Sequence, residues 1–272
     1  FDVVLVMVKA YDTRWACELI KPYLKEDGLL VGVQNAMMLD DIEEIVGPER
    51  TLGCVMEMSS EIFTPGIVQR NTTRDHTWFG LGSVNEATAD RVTEIEELLT
   101  HVGKVSISSE IISAKWMKLV VNAAEFLPSS ILGLPLAEAI KLPGMREVMM
   151  ASGREAVRTA LALGHELVPI FGKLQVEAND PDGYATVLLD AVLSDWTLPD
   201  TRVTVLQDWD KARRAEVDDI NGLVVREQAR LGGAVPVNAG LVEIAHKVER
   251  GELKPDASNA DLLRALIDKG PA

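Results

Sequence analysis

Two short apolar runs near the start of the chain, Val3–Val8 and Leu29–Val33, restrict the fold more than any other feature. Between them lies Thr13–Leu24, whose Trp15, Leu19, Ile20 and Tyr23 fall on one face of a helix. Strand, crossover helix and strand form a βαβ unit, and the two strands of such a unit run parallel. A Val-rich run this short, without alternation, reads as a strand buried on both faces. Strands of that kind sit inside sheets with a neighbour on each side. The expectation is therefore that further strands precede Phe1 and that this chain is the later part of a longer one.

The pattern continues as α/β for about a hundred residues. Leu39–Val46 predicts a short helix ended by Gly47-Pro48. Leu52–Ser59, Gly66–Arg70 and Thr77–Leu81 predict short strands that extend the sheet in antiparallel or mixed fashion. Asn85–His101 predicts a helix with Val92, Ile95, Leu98 and Leu99 spaced for a buried face, and Val105–Ile107 a further strand. After Ser109 the texture changes and helix follows helix. Ile111–Leu127, stopped by Pro128, is followed by Gly144–Leu163, Tyr184–Leu193, Trp209–Leu231, Val237–Glu249 and Ala260–Asp268. The change divides the chain into an α/β part, 1–109, and an all-helical part, 110–272.

Composition removes several function classes. With 27 Lys and Arg against 42 Asp and Glu, the net charge of −15 argues against nucleic acid or an anionic membrane as partner, though one local positive cluster can still bind a small anion. The longest uncharged runs, such as Gly28–Leu39 and Phe126–Ala137, are too short to span a bilayer. Cys17 and Cys54 make no disulfide framework and no CxxC, and read as buried thiols of a cytoplasmic protein. His76, His101, His165 and His246 lack metal-ligand spacing, so no metal site is expected.

Open parallel sheets bind ligands outside the carboxyl ends of their strands. Lys9 follows the first run and Asn35 the second, so both can face one crevice; a solvated strand end is the other reading of Lys9. The fingerprint G-x-G-x-x-G is absent. Gly80-Leu-Gly82-Ser-Val-Asn85 imitates its first half, lacks the third glycine, and reads as a strand end and turn. Ile111–Leu127 carries Lys118, Asn122 and Phe126 at i, i+4 and i+8, with Glu125 close by, in a helix apolar almost all round. Lys118 is either a desolvated proton donor or a snorkelling side chain with its head in water. Trp209–Leu231, preceded by Thr204-Val-Leu-Gln-Asp208, carries Glu216, Asp218, Asp219 and Asn221-Gly222. Asn-Gly within a helical pattern is locally unfavourable and marks close packing or a site, whereas Asp218 and Asp219 read as a solvated face.

Taken together, Val-Lys9-Ala-Tyr-Asp-Thr, Val-Gln-Asn35-Ala-Met, Lys115-Trp-Met-Lys118-Leu-Val-Val-Asn122, Val-Leu-Gln-Asp208, Ala-Glu216-Val-Asp-Asp-Ile-Asn-Gly222 and Val235-Pro-Val-Asn238 resemble the ketopantoate reductase family in order and spacing. The resemblance implies an α/β partial Rossmann domain followed by an all-α, 6-phosphogluconate-dehydrogenase-like C-terminal domain. It also implies a cytoplasmic homodimer that uses NADPH, with NADH as alternative, to reduce a small anionic 2-oxo acid. In that alignment Lys118 is the general acid and Glu216 binds and orients the substrate near the reacting oxygen. Asn122 and Thr204 bind substrate, and Lys9 and Asn35 line the cofactor crevice. Hydride transfer builds alkoxide charge that a nearby ammonium neutralises.

Three positions depart from the family pattern. Ala36 replaces a glycine, and Phe126 and Leu136 stand where the family has asparagines. A site built around a hydroxyl discriminates strongly for it, so two lost amides point to a substrate more apolar than ketopantoate. Two alternatives stand beside this reading. One is a relative of the β-hydroxyacid dehydrogenases, which also pair Lys and Asn four apart on a buried helix. The other is a non-catalytic binding or oligomerisation module.

Overall fold

The computed structural model describes residues 1–172 and 180–268. The α/β part runs β1 (Val3–Val6), α1 (Thr13–Ile20), β2 (Leu29–Gly32), α2 (Leu39–Val46), β3 (Thr51–Glu57), β4 (Ser60–Glu61), β5 (Gln69–Arg70), β6 (Trp78–Ser83), α3 (Val92–Thr100) and β7 (Lys104–Ile107). Then follow α4 (Ile111–Leu132), α5 (Leu136–Ala139), α6 (Met145–Ala162), α7 (Pro181–Asp195), α8 (Thr204–Asp210), α9 (Asn221–Arg230), α10 (Pro236–Glu249) and α11 (Ala260–Arg264). These make two compact units. The first holds Phe1–Ser60, Arg70–Lys118 and residues 166–172; the second holds Glu61–Gln69, Leu119–His165 and residues 180–268. Helix α4 is continuous and contributes to both, the division falling between Lys118 and Leu119.

The first unit is a five-stranded sheet in the order β1-β2-β3-β6-β7. β1, β2 and β3 are parallel, β6 is antiparallel to β3, and β7 is parallel to β6. Alternation along β2 sends Leu29 and Val31 into a cluster with Ile95 and Leu99 of α3, and Leu30 into another with Leu39 and Ile42 of α2. The reading of an apolar run as a strand covered on both faces holds for β2, all four residues of which are buried. It does not hold for β1. There Val3, Val4 and Leu5 are half-buried, and β2 is its one neighbour among the described residues. The stripe Trp15, Leu19 and Tyr23 is exposed, and α1 seats through Thr13 and Cys17 instead.

Gly53 and Gly82 are register partners across β3 and β6. A Cβ at Gly53 would lie 2.6 Å from Ile111 Cγ1, and one at Gly82 would lie 2.4 Å from the Ser108 carbonyl oxygen and 2.9 Å from Ile111 Cβ. The glycine pair is thus a slot that receives the first residue of α4. Gly80-Leu-Gly82-Ser-Val-Asn85 is a strand end and turn, as expected: β6 ends at Ser83, and Gly82 serves this helix–sheet contact.

In the second unit, α4 continues through Pro128 to Leu132 instead of stopping at Leu127. A proline inside a helix costs about 3 kcal/mol. Ile131 and Leu132, beyond the proline, are fully buried, at about 1.5–3 kcal/mol each, so continuation wins. The stretch expected as one helix, Trp209–Leu231, is two: α8 ends at Asp210, turns follow with Ala212 at φ +53°, and α9 begins at Asn221. The unfavourable Asn-Gly pair is accommodated by opening a helix rather than interrupting one. Among the described residues no helix is long and apolar enough to cross a membrane.

Candidate active site

Seated by Ile111 on the sheet, α4 carries two lysines along the carboxyl ends of β2 and β3. Lys115 is buried and donates to the Gln34 carbonyl at 2.7 Å and the Cys54 carbonyl at 3.3 Å. Burial pushes its pKa down to about 8 and pushes the Cys54 thiol up to about 12. One turn on, the Lys118 ammonium donates to the Glu57 carboxylate in a pair whose side chains are 7% and 13% exposed. The same ammonium lies 5.4 Å from the centroid of the Phe171 ring. Phe171, at φ +68°, packs edge-on against Trp78 at 5.7 Å. A bulky residue in the left-handed region is rare and is held there only by its surroundings. Lys118 is therefore paired and covered, and its head is not in open water. Lys9 and Asn35, both half-buried, follow β1 and β2, which run parallel.

The second unit holds the remaining candidates. Asn122 is fully buried, and neither its amide nitrogen nor its amide oxygen has a hydrogen-bond partner among the described residues. The Thr204 hydroxyl, on the first residue of α8, is likewise buried without one. Phe126 and Leu136 are buried. Glu216 is buried in the turns before α9, and Asp219 nearby has its carboxyl pushed up, first by burial and then by the Glu216 charge. Asp219 is thus half-buried and not part of a solvated face. Asp218 is more exposed and takes a contact from His246 at 3.0 Å.

The Asn-Gly and Val-Pro-Val-Asn motifs hold α4. The Asn221 amide donates to the Ala123 carbonyl and to Asn238 Oδ1, both at 2.9 Å, and the Ser152 hydroxyl donates to the same carbonyl at 2.8 Å. Asn238 in turn donates to Glu155. This buried clasp closes on the peptide next to Asn122 and fixes that turn of the helix.

Sequence reasoning missed Glu57 and Phe171. The signal for Glu57 was present: it is a lone acid at the carboxyl end of an apolar strand, the same position that singled out Lys9 and Asn35. Phe171 had no signal of its own.

The polar groups of each unit are of the kind that hold a nicotinamide nucleotide. Lys9 and Asn35 stand at strand carboxyl ends, and the unpaired Asn122 amide and Thr204 hydroxyl are neutral groups that a polar substrate would satisfy. Among the described residues no three His, Cys, Asp or Glu side chains gather as a metal-ligand set.

Comparison with known proteins agrees over most of the chain. The family model described as "Ketopantoate reductase PanE/ApbA" matches residues 1–83, and "Ketopantoate reductase PanE/ApbA C terminal" matches residues 110–249. A 2-dehydropantoate 2-reductase of Archaeoglobus fulgidus is 23% identical over 256 residues, covering 92% of this chain and 77% of the relative. Among solved structures, a D-mandelate dehydrogenase with NADH and anilino(oxo)acetate superposes with a TM-score of 0.80 at 20% identity, covering 92% of this chain and 77% of that one. A PanE/ApbA family ketopantoate reductase of Ralstonia eutropha gives 0.75 at 24% identity, covering 92% and 76%. The mixed sheet, the helical second unit and the two matched segments lead to one assignment: the chain belongs to the ketopantoate reductase family of oxidoreductases.

Proposed function

We propose that this protein reduces a 2-oxo acid to the 2-hydroxy acid, with NADPH as donor and NADH as the alternative, and that it acts as a cytoplasmic homodimer. The observation that carries the reading is α4 itself. It holds a paired, covered ammonium at Lys118 and, one turn on, the buried unpaired amide of Asn122. The bound nicotinamide supplies hydride to the substrate carbon. Lys118 hydrogen-bonds the carbonyl oxygen and gives it a proton as charge develops there. Asn122 and Thr204 gain in the complex the partners they otherwise lack, which orients the substrate. Glu216 holds the substrate near the reacting oxygen, and Lys9 and Asn35 line the nicotinamide side of the crevice.

The buried side chains of Phe126 and Leu136 favour a substrate more apolar than ketopantoate. A structural neighbour solved with anilino(oxo)acetate is in keeping with that.

The test is a panel of 2-oxo acids assayed with full-length protein and either nucleotide. Reduction of apolar 2-oxo acids in preference to ketopantoate is expected, and Lys118→Ala should lower kcat about a hundredfold. Phe126→Asn should raise activity on ketopantoate. Oxidation of 3-hydroxy acids with no reduction of any 2-oxo acid would overturn the assignment, as would failure to bind either nucleotide.

A further inference from the structure

The pair that Lys118 makes involves a residue to which none of the roles above is assigned. Glu57 ends β3, so the backbone of a central strand fixes its Cα, and it is the register partner of Trp78 on β6. Trp78 is anchored through its indole N–H to the Ser106 hydroxyl at 2.9 Å and packs edge-on against Phe171. The Lys118 ammonium is held between the two ends of this arrangement: the Glu57 carboxylate accepts one of its hydrogen bonds, and the Phe171 ring face covers another side. An ammonium has three donors on a flexible four-carbon stem and no preferred direction of its own. A carboxylate and an aromatic face, both set by the sheet, supply that direction and leave one side of the donor group for an acceptor.

We propose that Glu57 is the positioning residue of Lys118, with Phe171 as the opposing wall, so that the remaining N–H is aimed before substrate arrives. The proposal rests on the reading of Lys118 as proton donor. Glu57 itself touches neither the substrate nor the reacting atoms. Its effect passes through Lys118, so the two residues act as one unit.

A double-mutant cycle on the full-length protein tests it, using the best 2-oxo acid of the panel. Glu57→Gln keeps the size and an acceptor oxygen but removes the charge. It should lower kcat about 10- to 100-fold while KM rises no more than about threefold, since aim and not substrate binding is lost. In the Lys118→Ala background the same change should alter kcat less than about twofold. An independent readout is the 1H–15N signal of the Lys118 ammonium, identified by its disappearance in Lys118→Arg. It should be resolved in the wild type, where the ammonium is buried and paired, and lost to exchange in Glu57→Gln.

The proposal is overturned if Glu57→Gln stays within about threefold of wild-type kcat. It is equally overturned if the change costs the same factor with or without Lys118, or if the ammonium signal is unchanged. Should Glu57→Gln not fold, Glu57→Asp carries the same cycle, because it keeps the charge and withdraws the carboxylate by one methylene. Unimpaired activity in Lys118→Ala would instead sink the proton-donor reading, and the ammonium signal would then decide the Glu57 contact alone.

Discussion

Asn122 buries both ends of its amide without a partner among the described residues, and a buried polar group in that state costs on the order of 1–3 kcal/mol. Asn122→Leu, similar in size and apolar, should therefore raise the denaturation midpoint by an amount worth about 1–2 kcal/mol while lowering kcat/KM at least about tenfold. Loss of stability in urea titration would show that the amide has a structural partner after all. Lys115 offers a second reading at this scale, through pH. Its pKa is about 8 in the fold and 10.5 in the unfolded chain. Below about 8 both states carry the proton. Between about 8 and 10.5 the unfolded chain still binds a proton that the folded protein has released, so this group's contribution to stability rises with pH. The gain over Lys115→Met should approach about 3 kcal/mol across that window and be flat below it. Cys17 and Cys54, whose thiols burial pushes up, work in the opposite direction in both proteins, so the difference between the two is the quantity to measure. A pH-independent difference would mean that Lys115 stays charged throughout.

At the scale of elements, periodicity located most helices and strands but could not weigh one contribution against another. The stop expected at Pro128 failed because the apolar burial that carries α4 onward lies in residues after the proline. The long helix expected from Trp209 failed for the opposite reason. Its spacing was helical, but Asn221-Gly222 is the kind of local conflict that a chain resolves by ending one helix and starting another. The candidate residues on α4 were legible because a charged or amide side chain on an apolar helix contradicts its surroundings. Glu57 escaped because one acid after a strand is ordinary until the structure shows what it touches. The slot that seats α4 is another feature that only the fold displays. Gly82→Ala puts a methyl 2.4 Å from the Ser108 oxygen, a contact that backbone on both sides cannot relieve cheaply. It should cost about 1–3 kcal/mol in thermal or urea unfolding, and it should lower kcat as well, since Ile111, Lys115 and Lys118 move with the helix. A fully stable and fully active Gly82→Ala protein would show that the seat yields without disturbing α4.

The whole chain carries a net charge of −15, and both of its units expose apolar groups. Phe1, Met7, Trp15, Leu19 and Tyr23 are all more than half exposed, and they belong to the segments that form β1 and α1 or adjoin them. Exposed apolar side chains favour association with another chain, and like charge is what keeps such chains apart. Salt screens that repulsion, with a Debye length of about 10 Å at 0.1 M and about 3 Å at 1 M. Light scattering of this 272-residue chain should therefore show association that grows with protein concentration and with salt. Trp15→Lys together with Leu19→Glu should suppress it, and association indifferent to both salt and these changes would place the contact elsewhere. The exposed stripe of α1 on a chain of net charge −15 thus makes ionic strength the variable that decides whether it stays dispersed or associates.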